Sequence, residues 1–549
     1  MNTRTENDLI RLMRPVAVAV VAVSMTWTGG CIGTQSTSKG RVDTTKETLV
    51  TVRIPASPAV VDPMIYGEML EDCNDQIIYG GVVDADGGAR PQVDALIRPL
   101  QIPVVRWPGG TYVKEYHWKK AIGPLDQRPV TEDYAWKGKD NNRFGTDEFL
   151  RWCKTVGTQA YINFNMGNQV PYGGTLQEAL DWVEYVNGST ETPYGKKRAE
   201  NGHAAPYQVK YWGLGNENYG SYGRHDKETD TVYAEKLSRW ASAIGSAHPD
   251  LKLLAVGYTQ DWDQTVLEKA GNWVDFLTQH YYVTSRIKDG RVQTPLNSLF
   301  APAKMEAHLQ MLTPLFKKVN AQLGRTADPI RISIDEWDNR HSNFDGKKYR
   351  FNRHDPRNQF DAAVVASMLN VFIRQSPLVG MTNYIFPVNG HGLIRTVGDT
   401  GAFKSAIYPV FFKYRQWMTG NKLGVSVKGP GVLASDLKFF LSGDATEADL
   451  NAQQLSFIDA SATQGSDGTL TIALVNRNPD AAEAVTLAVP EGYTATAHWT
   501  LESDDINRAN TATERNNVYP TEGKINHPET PLKVTLRPCG VQLTRFNRQ

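Results

Sequence analysis

Two hydrophobic rhythms divide the chain. From Val60 to about Asn421, short apolar runs rich in β-branched residues alternate with longer stretches of helical period. The predicted strands are MIYGEML (64–70), PVVRWPGG (103–110), QAYINFN (159–165), VKYWGLG (209–215), LKLLAVG (251–257), VDFLTQHYY (274–282), IRISIDEW (330–337) and GMTNYIFPV (380–388). Between them TDEFLRWCKTV, TLQEALDWVEYV, YAEKLSRWASAI and DAAVVASMLNVFIRQ read as amphipathic helices. Eight strands alternating with helices over ~360 residues predict an α/β fold, a (β/α)8 TIM barrel with long loops. A doubly wound open sheet is the alternative, but no GxGxxG or P-loop opens any unit.

Beyond about Gly420 the period shortens to two. GTLTIALVNRNPDAAEAVTLAVP and PLKVTLRPCGVQLTRF alternate apolar and polar positions between turn signals, which predicts an antiparallel β-sandwich packed on the barrel. The early segment TLVTVRIPA (48–56) has the same character and is expected to join it. The expected domains are a barrel over 60–420 and a sandwich over 421–549, with an N-terminal strand over 48–59.

The first 31 residues read as a targeting segment rather than part of the fold. Arg4, Arg11 and Arg14 precede the apolar run from Val16 to Met25, which is too short to cross a bilayer and fits a signal peptide. Gly29-Gly30-Cys31 resembles a bacterial lipobox, so lipidation of Cys31 is expected, with plain secretion as the alternative. Either way export from a bacterial cell is expected. Residues 32–47 are polar and non-periodic and read as a tether. Net charge is zero at 549 residues, so nothing points to nucleic acid or an anionic membrane surface as partner. Cys73, Cys153 and Cys539 are too few and too scattered for a disulfide framework, and no spacing suggests a metal; no cofactor is expected. The generous count of 13 Trp and 23 Tyr suits a large core or sugar binding.

Functional residues of such a barrel sit at the C-terminal ends of its strands. Those ends carry Glu71, Arg106, Asn163 with Asn165, Asn216-Glu217, Tyr258, His280 with Tyr282, Glu336 and Asn383. Glu217 and Glu336 are two carboxylates on strands four and seven. A pair across a pocket is what glycoside hydrolysis needs, one protonating the leaving oxygen and the other attacking the anomeric carbon or activating water. Asn216 is placed to hydrogen-bond a sugar 2-hydroxyl. A lone strand-end Glu is more often a cap or an ion-pair partner. Two on suitable strands, with an Asn-Glu pair and aromatic surroundings, bring catalysis level with that reading.

RWPGGTYVKEYHWKKAIGP (106–124), FGTDEF (144–149), NMG (165–167), VKYWGLGNENYG (209–220) and ISIDEWD (332–338) resemble, in order and spacing, glycoside hydrolase family 51. That resemblance spans about Val60 to Tyr414 and implies a retaining α-L-arabinofuranosidase built as a (β/α)8 barrel with a C-terminal jelly roll. It implies Glu217 as acid/base and Glu336 as nucleophile. Asn216 then holds the 2-hydroxyl, Glu71 outer sugar hydroxyls, Tyr282 orients the nucleophile, and Arg106 lies beneath the site. The expected substrate-binding set is Glu71, Asn216, Tyr282, Thr111, Phe386, Trp337, His280 and Arg106. Family members are often homo-oligomers, which the resemblance leaves open.

Two positions depart from the family pattern. Thr111 stands where PGGN is usual, and Phe386 stands near a usual strand-eight Gln, so the reaction is better specified than the sugar. The loop at 341–360 holds Lys347, Lys348, Arg350, Arg353 and Arg357 with His341 and His354. It reads as a solvated cover of the barrel mouth or, more sharply, as a selector of uronic-acid or sulfated glycans. The expected function is exo-release of terminal α-L-arabinofuranosyl residues from plant-type polysaccharides or oligosaccharides. The alternatives are another furanosidase, a xylosidase, an endo-β-glucanase, an enzyme of acidic glycans, or a non-catalytic glycan-binding lipoprotein.

Overall fold

A computed structural model describes residues 47–549 apart from 74, 445–447, 451–452 and 527–530. The expected signal peptide, Cys31 and the tether up to residue 46 lie outside the described residues.

Eight parallel strands close into a barrel: β1 (Gly67–Met69), β2 (Val104–Trp107), β3 (Gln159–Phe164), β4 (Tyr211–Leu214), β5 (Lys252–Ala255), β6 (Phe276–Lys288), β7 (Arg331–Phe344) and β8 (Val379–Tyr384). Each pairs with the next, and β8 returns to β1 through Asn383↔Gly67 and Tyr384↔Glu68. The strands read as apolar runs because both faces are covered. Val104, Tyr161, Leu254, Phe276 and Met381 pack together as the floor of the barrel interior. Two residues further along β2, β3 and β8 the same face carries Arg106, Asn163 and Asn383, so the interior turns from apolar to polar toward the C-terminal rim.

Helices α1 (Thr146–Val156), α2 (Leu176–Asn187) and α3 (Asp230–Ala247) cover the outside. Much of the tryptophan lies in this layer. Trp107 stacks on Phe149 at 4.9 Å, and Trp182 meets the edges of Trp107 and Trp212. A fourth helix, α4 (Gln359–Arg374), departs from the amphipathic reading: every residue from Gln359 to Ile373 is buried. The sandwich covers the face that would otherwise be wet, through Asn370–Asp459 (2.8 Å), Arg374–Asp459 (3.0 Å) and Gln359 to the carbonyls of Leu501 and Cys539.

The sandwich has a four-stranded and a seven-stranded sheet. Thr48–Arg53 lies in the smaller sheet, antiparallel to Gly424–Lys428 but parallel to Glu483–Ala488. Cys73, Cys153 and Cys539 are free and buried. No helix among the described residues is long and apolar enough to cross a membrane.

Two strands outrun their predicted ends. β6 and β7 continue as a paired ribbon above the rim, to Lys288 and Phe344, because their polar tails (TSRIK, DNRHSNF) are held by each other. On the outer side of β6, Leu441–Gly443 (β9) adds antiparallel at Tyr281–Val283. That segment falls within the span read as sandwich, yet it belongs to the barrel mouth.

Candidate active site

The turn after β4 is built to present Glu217. Gly215 has φ +95°, and a side chain there would collide with Asn218 Oδ1 at 2.4 Å. Asn218, 1% exposed, accepts the Asn216 backbone N–H at 3.1 Å and donates to Glu228 at 2.9 Å and to the Met166 carbonyl at 3.2 Å. This frame holds Glu217 at φ +43°, a left-handed conformation that a non-glycine residue adopts only at a cost of about 1–3 kcal/mol. Lys114 Nζ donates to the Glu217 carbonyl at 3.1 Å and helps keep it there.

At the end of β7 the register with β8 shifts between Ile334 and Trp337. Through this irregularity the consecutive Asp335 and Glu336 both reach the barrel interior, where strict alternation would send one of them out. Arg106, fully buried, joins them: its Nε lies 3.2 Å from Asp335 Oδ2 and its Nη1 donates to Glu336 Oε1 at 2.8 Å. Its Nη2 donates to Asn216 Oδ1 at 2.6 Å, which leaves the buried Asn216 Nδ2 without a hydrogen-bond partner. The Tyr282 hydroxyl donates to the other Glu336 oxygen, and Arg340 lies over the Tyr282 ring at 3.2 Å.

His280 stands between the two carboxylates. Its Nδ1 is 2.8 Å from Glu217 Oε1 and 3.7 Å from Glu336 Oε2, while Nε2 is 3.1 Å from Asp335 Oδ1. Burial opposes a charge on this imidazole, but Glu336, Asp335 and Glu217 outweigh it and raise its pKa well above the usual value. Burial likewise pushes the Glu217 carboxyl up. The hydrogen bond and charge of His280, with Lys114 and Arg340 behind it, bring it down to about 2. Burial and the Glu336 charge raise Glu71 to about 7, and burial lowers Lys114 to about 8.

Glu71 lies beside the pair, accepting the Tyr112 backbone N–H and the Trp136 indole N–H, each at 3.0 Å. Gly109 and Gly110 form the wall between: a Cβ at Gly109 would meet Glu71 Cγ at 2.4 Å, and one at Gly110 would meet Glu336 Oε1 at 2.7 Å. Thr111 follows directly and is half-buried. Phe386 lies just past β8, 1% exposed and packed beside Gly390.

Two members of the expected binding set are not open to a ligand, Arg106 because it lies beneath the site as the resemblance implies. Trp337, adjacent to Glu336 on a strand, points outward; its indole donates to Thr382 Oγ1 at 2.9 Å among Phe372, Tyr384 and Phe411. Arg106 is sealed beneath the carboxylates and serves them rather than a ligand. Of the other strand ends, Asn165 is spent on the carbonyls of Tyr116 and Tyr172, Asn383 on that of Glu68, and Tyr258 stacks on Tyr219 at 3.9 Å. Asn163 stays buried on the interior face of β3.

The basic loop is largely neutralised by its own surroundings. Arg350 pairs with Asp345, Arg353 and His354 with Asp75, and Arg357 and His341 with Asp361. Lys347 and Lys348 occupy an exposed hairpin tip. These carboxylates remove the main physical argument for anion selection by the loop.

Several contributors escaped the sequence reading. Asp335 shares the quoted IDEW motif, but its role required the irregularity in β7. Lys114 ends the short 3-10 helix Thr111–Lys114 and Trp136 lies in a turn, neither with a periodic signal. Tyr219 and Asp444 meet near Glu217 from segments 225 residues apart. Among the described residues the one grouping with metal-ligand geometry is Glu217, His280 and Glu336, whose nearest atoms lie within 4.8 Å of one another. It coincides with the carboxylate pair.

Comparison with known proteins places this geometry. The pattern of the α-L-arabinofuranosidase 1 domain matches residues 96–295, and that of the α-L-arabinofuranosidase C-terminal domain matches 335–539. A probable α-L-arabinofuranosidase C of Aspergillus terreus is 32% identical over 82% of this chain and 88% of its own length. An intracellular exo-α-(1→5)-L-arabinofuranosidase of Bacillus subtilis is 28% identical over 89% of this chain and 97% of its own. The arabinose-complexed α-L-arabinofuranosidase of Thermotoga maritima superposes with a TM-score of 0.77 at 28% identity, over 91% and 99% of the two chains. With these matches and its barrel-plus-sandwich architecture, the chain belongs to the α-L-arabinofuranosidases of glycoside hydrolase family 51.

Proposed function

We propose that the protein is a retaining exo-glycosidase that releases terminal α-L-arabinofuranosyl residues from plant-type polysaccharides or oligosaccharides by double displacement. The observation that carries the mechanism is distance: an oxygen of Glu217 and one of Glu336 lie within 4.8 Å. Inverting enzymes keep their carboxyl groups roughly 6.5–9.5 Å apart to admit a water, whereas retaining enzymes bring them to about 5–5.5 Å. Exo action and the sugar are supported by the names of the relatives.

In the first step a Glu336 oxygen attacks the anomeric carbon as the glycosidic C–O bond breaks. The departing oxygen takes a proton from Glu217. The Glu217–His280 pair supplies that proton, which rests on the imidazole until a bound sugar displaces water from the carboxyl and raises its affinity for it. In the second step water attacks the anomeric carbon, gives a proton to Glu217 and releases Glu336. The unpartnered Asn216 Nδ2 fits a sugar hydroxyl, since a buried donor left unmade is costly. Glu71 serves outer hydroxyls.

The test is hydrolysis of aryl α-L-arabinofuranoside, β-D-galactofuranoside, β-D-xyloside and β-D-glucoside by wild type, Glu217→Ala and Glu336→Ala. Arabinofuranoside turnover lost in both variants is expected. Turnover of another sugar alone would contradict the substrate, with Thr111 as the first position to restore to Asn. We also infer export with acylation at Cys31, supported by the basic and apolar leader; Cys31→Ala should release the protein from membranes, and unchanged fractionation would oppose it.

A further inference from the structure

One buried carboxylate at the site comes from outside the barrel. Gly443, at the end of β9, has φ +98° and sits so close to β6 that a Cβ there would lie 2.2 Å from the His280 carbonyl oxygen. The chain turns at this glycine and carries Asp444, 1% exposed, into the barrel mouth. Asp444 clasps His280 twice: its backbone N–H donates to the His280 carbonyl at 3.0 Å, and its Oδ2 accepts the His280 N–H at 2.8 Å. Its Oδ1 lies 3.3 Å from the Tyr219 hydroxyl, which lies 3.3 Å from Glu217 Oε1. Stacking on Tyr258 and an edge contact with Trp262 fix the Tyr219 ring.

We propose that Asp444 and Tyr219 form a hydrogen-bond relay that positions Glu217 and His280 for proton transfer to and from the substrate. One phenol proton cannot serve two carboxylates, so the chain needs a direction. Burial raises the Asp444 carboxyl to about 8 against the opposing charge of His280, so at neutral pH it keeps its proton and donates to Tyr219. Tyr219 then donates to Glu217 Oε1, on the oxygen that His280 also contacts. Asp444 and Tyr219 are positioning residues: neither needs to touch the sugar. A purely structural Asp444 would do no more than anchor β9, and its loss would then slow every substrate alike.

The inference rests on Glu217 as the acid/base, and leaving-group dependence separates the two. Acid assistance matters for a basic leaving group and little for an activated one. In the full chain, Asp444→Ala and Tyr219→Phe should each lower kcat/KM for phenyl α-L-arabinofuranoside at least roughly ten-fold more than for the 2,4-dinitrophenyl substrate. The double variant should be no worse than the worse single one, because both act on one chain. Asp444→Asn keeps both an acceptor for the His280 N–H and a donor toward Tyr219 and should stay near wild type; Tyr219→Phe carries the test should Asp444→Ala not fold. Equal losses on both substrates, or additive losses in the double variant, would overturn the relay alone. A wild type that turns over neither substrate would overturn the arabinofuranosidase reading and the relay with it.

Discussion

Glu217 and Glu336 close equivalent strands across one pocket, yet their surroundings differ in kind. Glu336 has both oxygens engaged, one by the Arg106 guanidinium and one by the Tyr282 hydroxyl. Glu217 has its contacts gathered on Oε1, from His280 and Tyr219, and no described residue bonds its Oε2. A carboxylate gripped at both oxygens is fixed in place. One gripped at a single oxygen keeps the other for a reacting proton. Identical residues thus acquire separate duties from their neighbours, which is the usual way one site runs acid and nucleophile chemistry together.

The comparison breaks most severely at Glu336. Glu336→Ala should lose on the order of 10⁴-fold or more in kcat on every substrate, because no other group can attack the anomeric carbon. Glu217→Ala should lose about 10²–10⁴-fold on a phenyl arabinofuranoside and far less on a dinitrophenyl one, with azide restoring turnover as the glycosyl azide. Equal sensitivity to leaving group in both variants would erase the distinction drawn between them. Tyr282→Phe removes one donor from Glu336 and should cost roughly 10–100-fold in kcat, as for a hydrogen bond to a charged group.

His280 sharpens the difference by its effect on pH. The Glu217–His280 pair must hold one proton, and the raised affinity of His280 keeps it there well above the ordinary imidazole range. Without the imidazole, that proton depends on the Glu217 carboxyl alone. His280→Ala should therefore move the alkaline limb of kcat/KM to lower pH; an unmoved limb would show that the pair does not share the proton. The smallest effect on chemistry is expected at the sandwich. Asp459→Ala leaves Asn370 Nδ2 without its acceptor and removes one of the two carboxylates on Arg374, which keeps Glu306, at the α4 interface; it should cost roughly 2 kcal/mol, a few degrees in Tm, with kcat/KM within about two-fold of wild type.

How far the sequence led follows from the same physics. The barrel was legible because strands covered on both faces are written as continuous apolar runs, and Glu217 and Glu336 because such strands end at the site. The upper halves of β6 and β7 were not, since their polar residues are held by pairing with each other. Trp337 was misplaced by adjacency: on a strand the neighbour of an inward residue faces out. Asp335 beside Glu336 broke that same rule through a local irregularity in register. Asp444 had no signal at all, because its chemistry comes from a contact between β9 and β6 that no local pattern encodes. The basic loop misled in the opposite sense, since its cations were visible and the carboxylates of Asp75 and Asp361 that neutralise them were not.

The most direct test of the division of labour between the two carboxylates is the anomeric configuration of the first-formed product. NMR spectra recorded during hydrolysis of an aryl α-L-arabinofuranoside should show α-L-arabinofuranose before mutarotation, the outcome of two successive displacements through Glu336. Initial release of the β anomer would mean a single displacement by water, and would contradict the nucleophilic role given to Glu336.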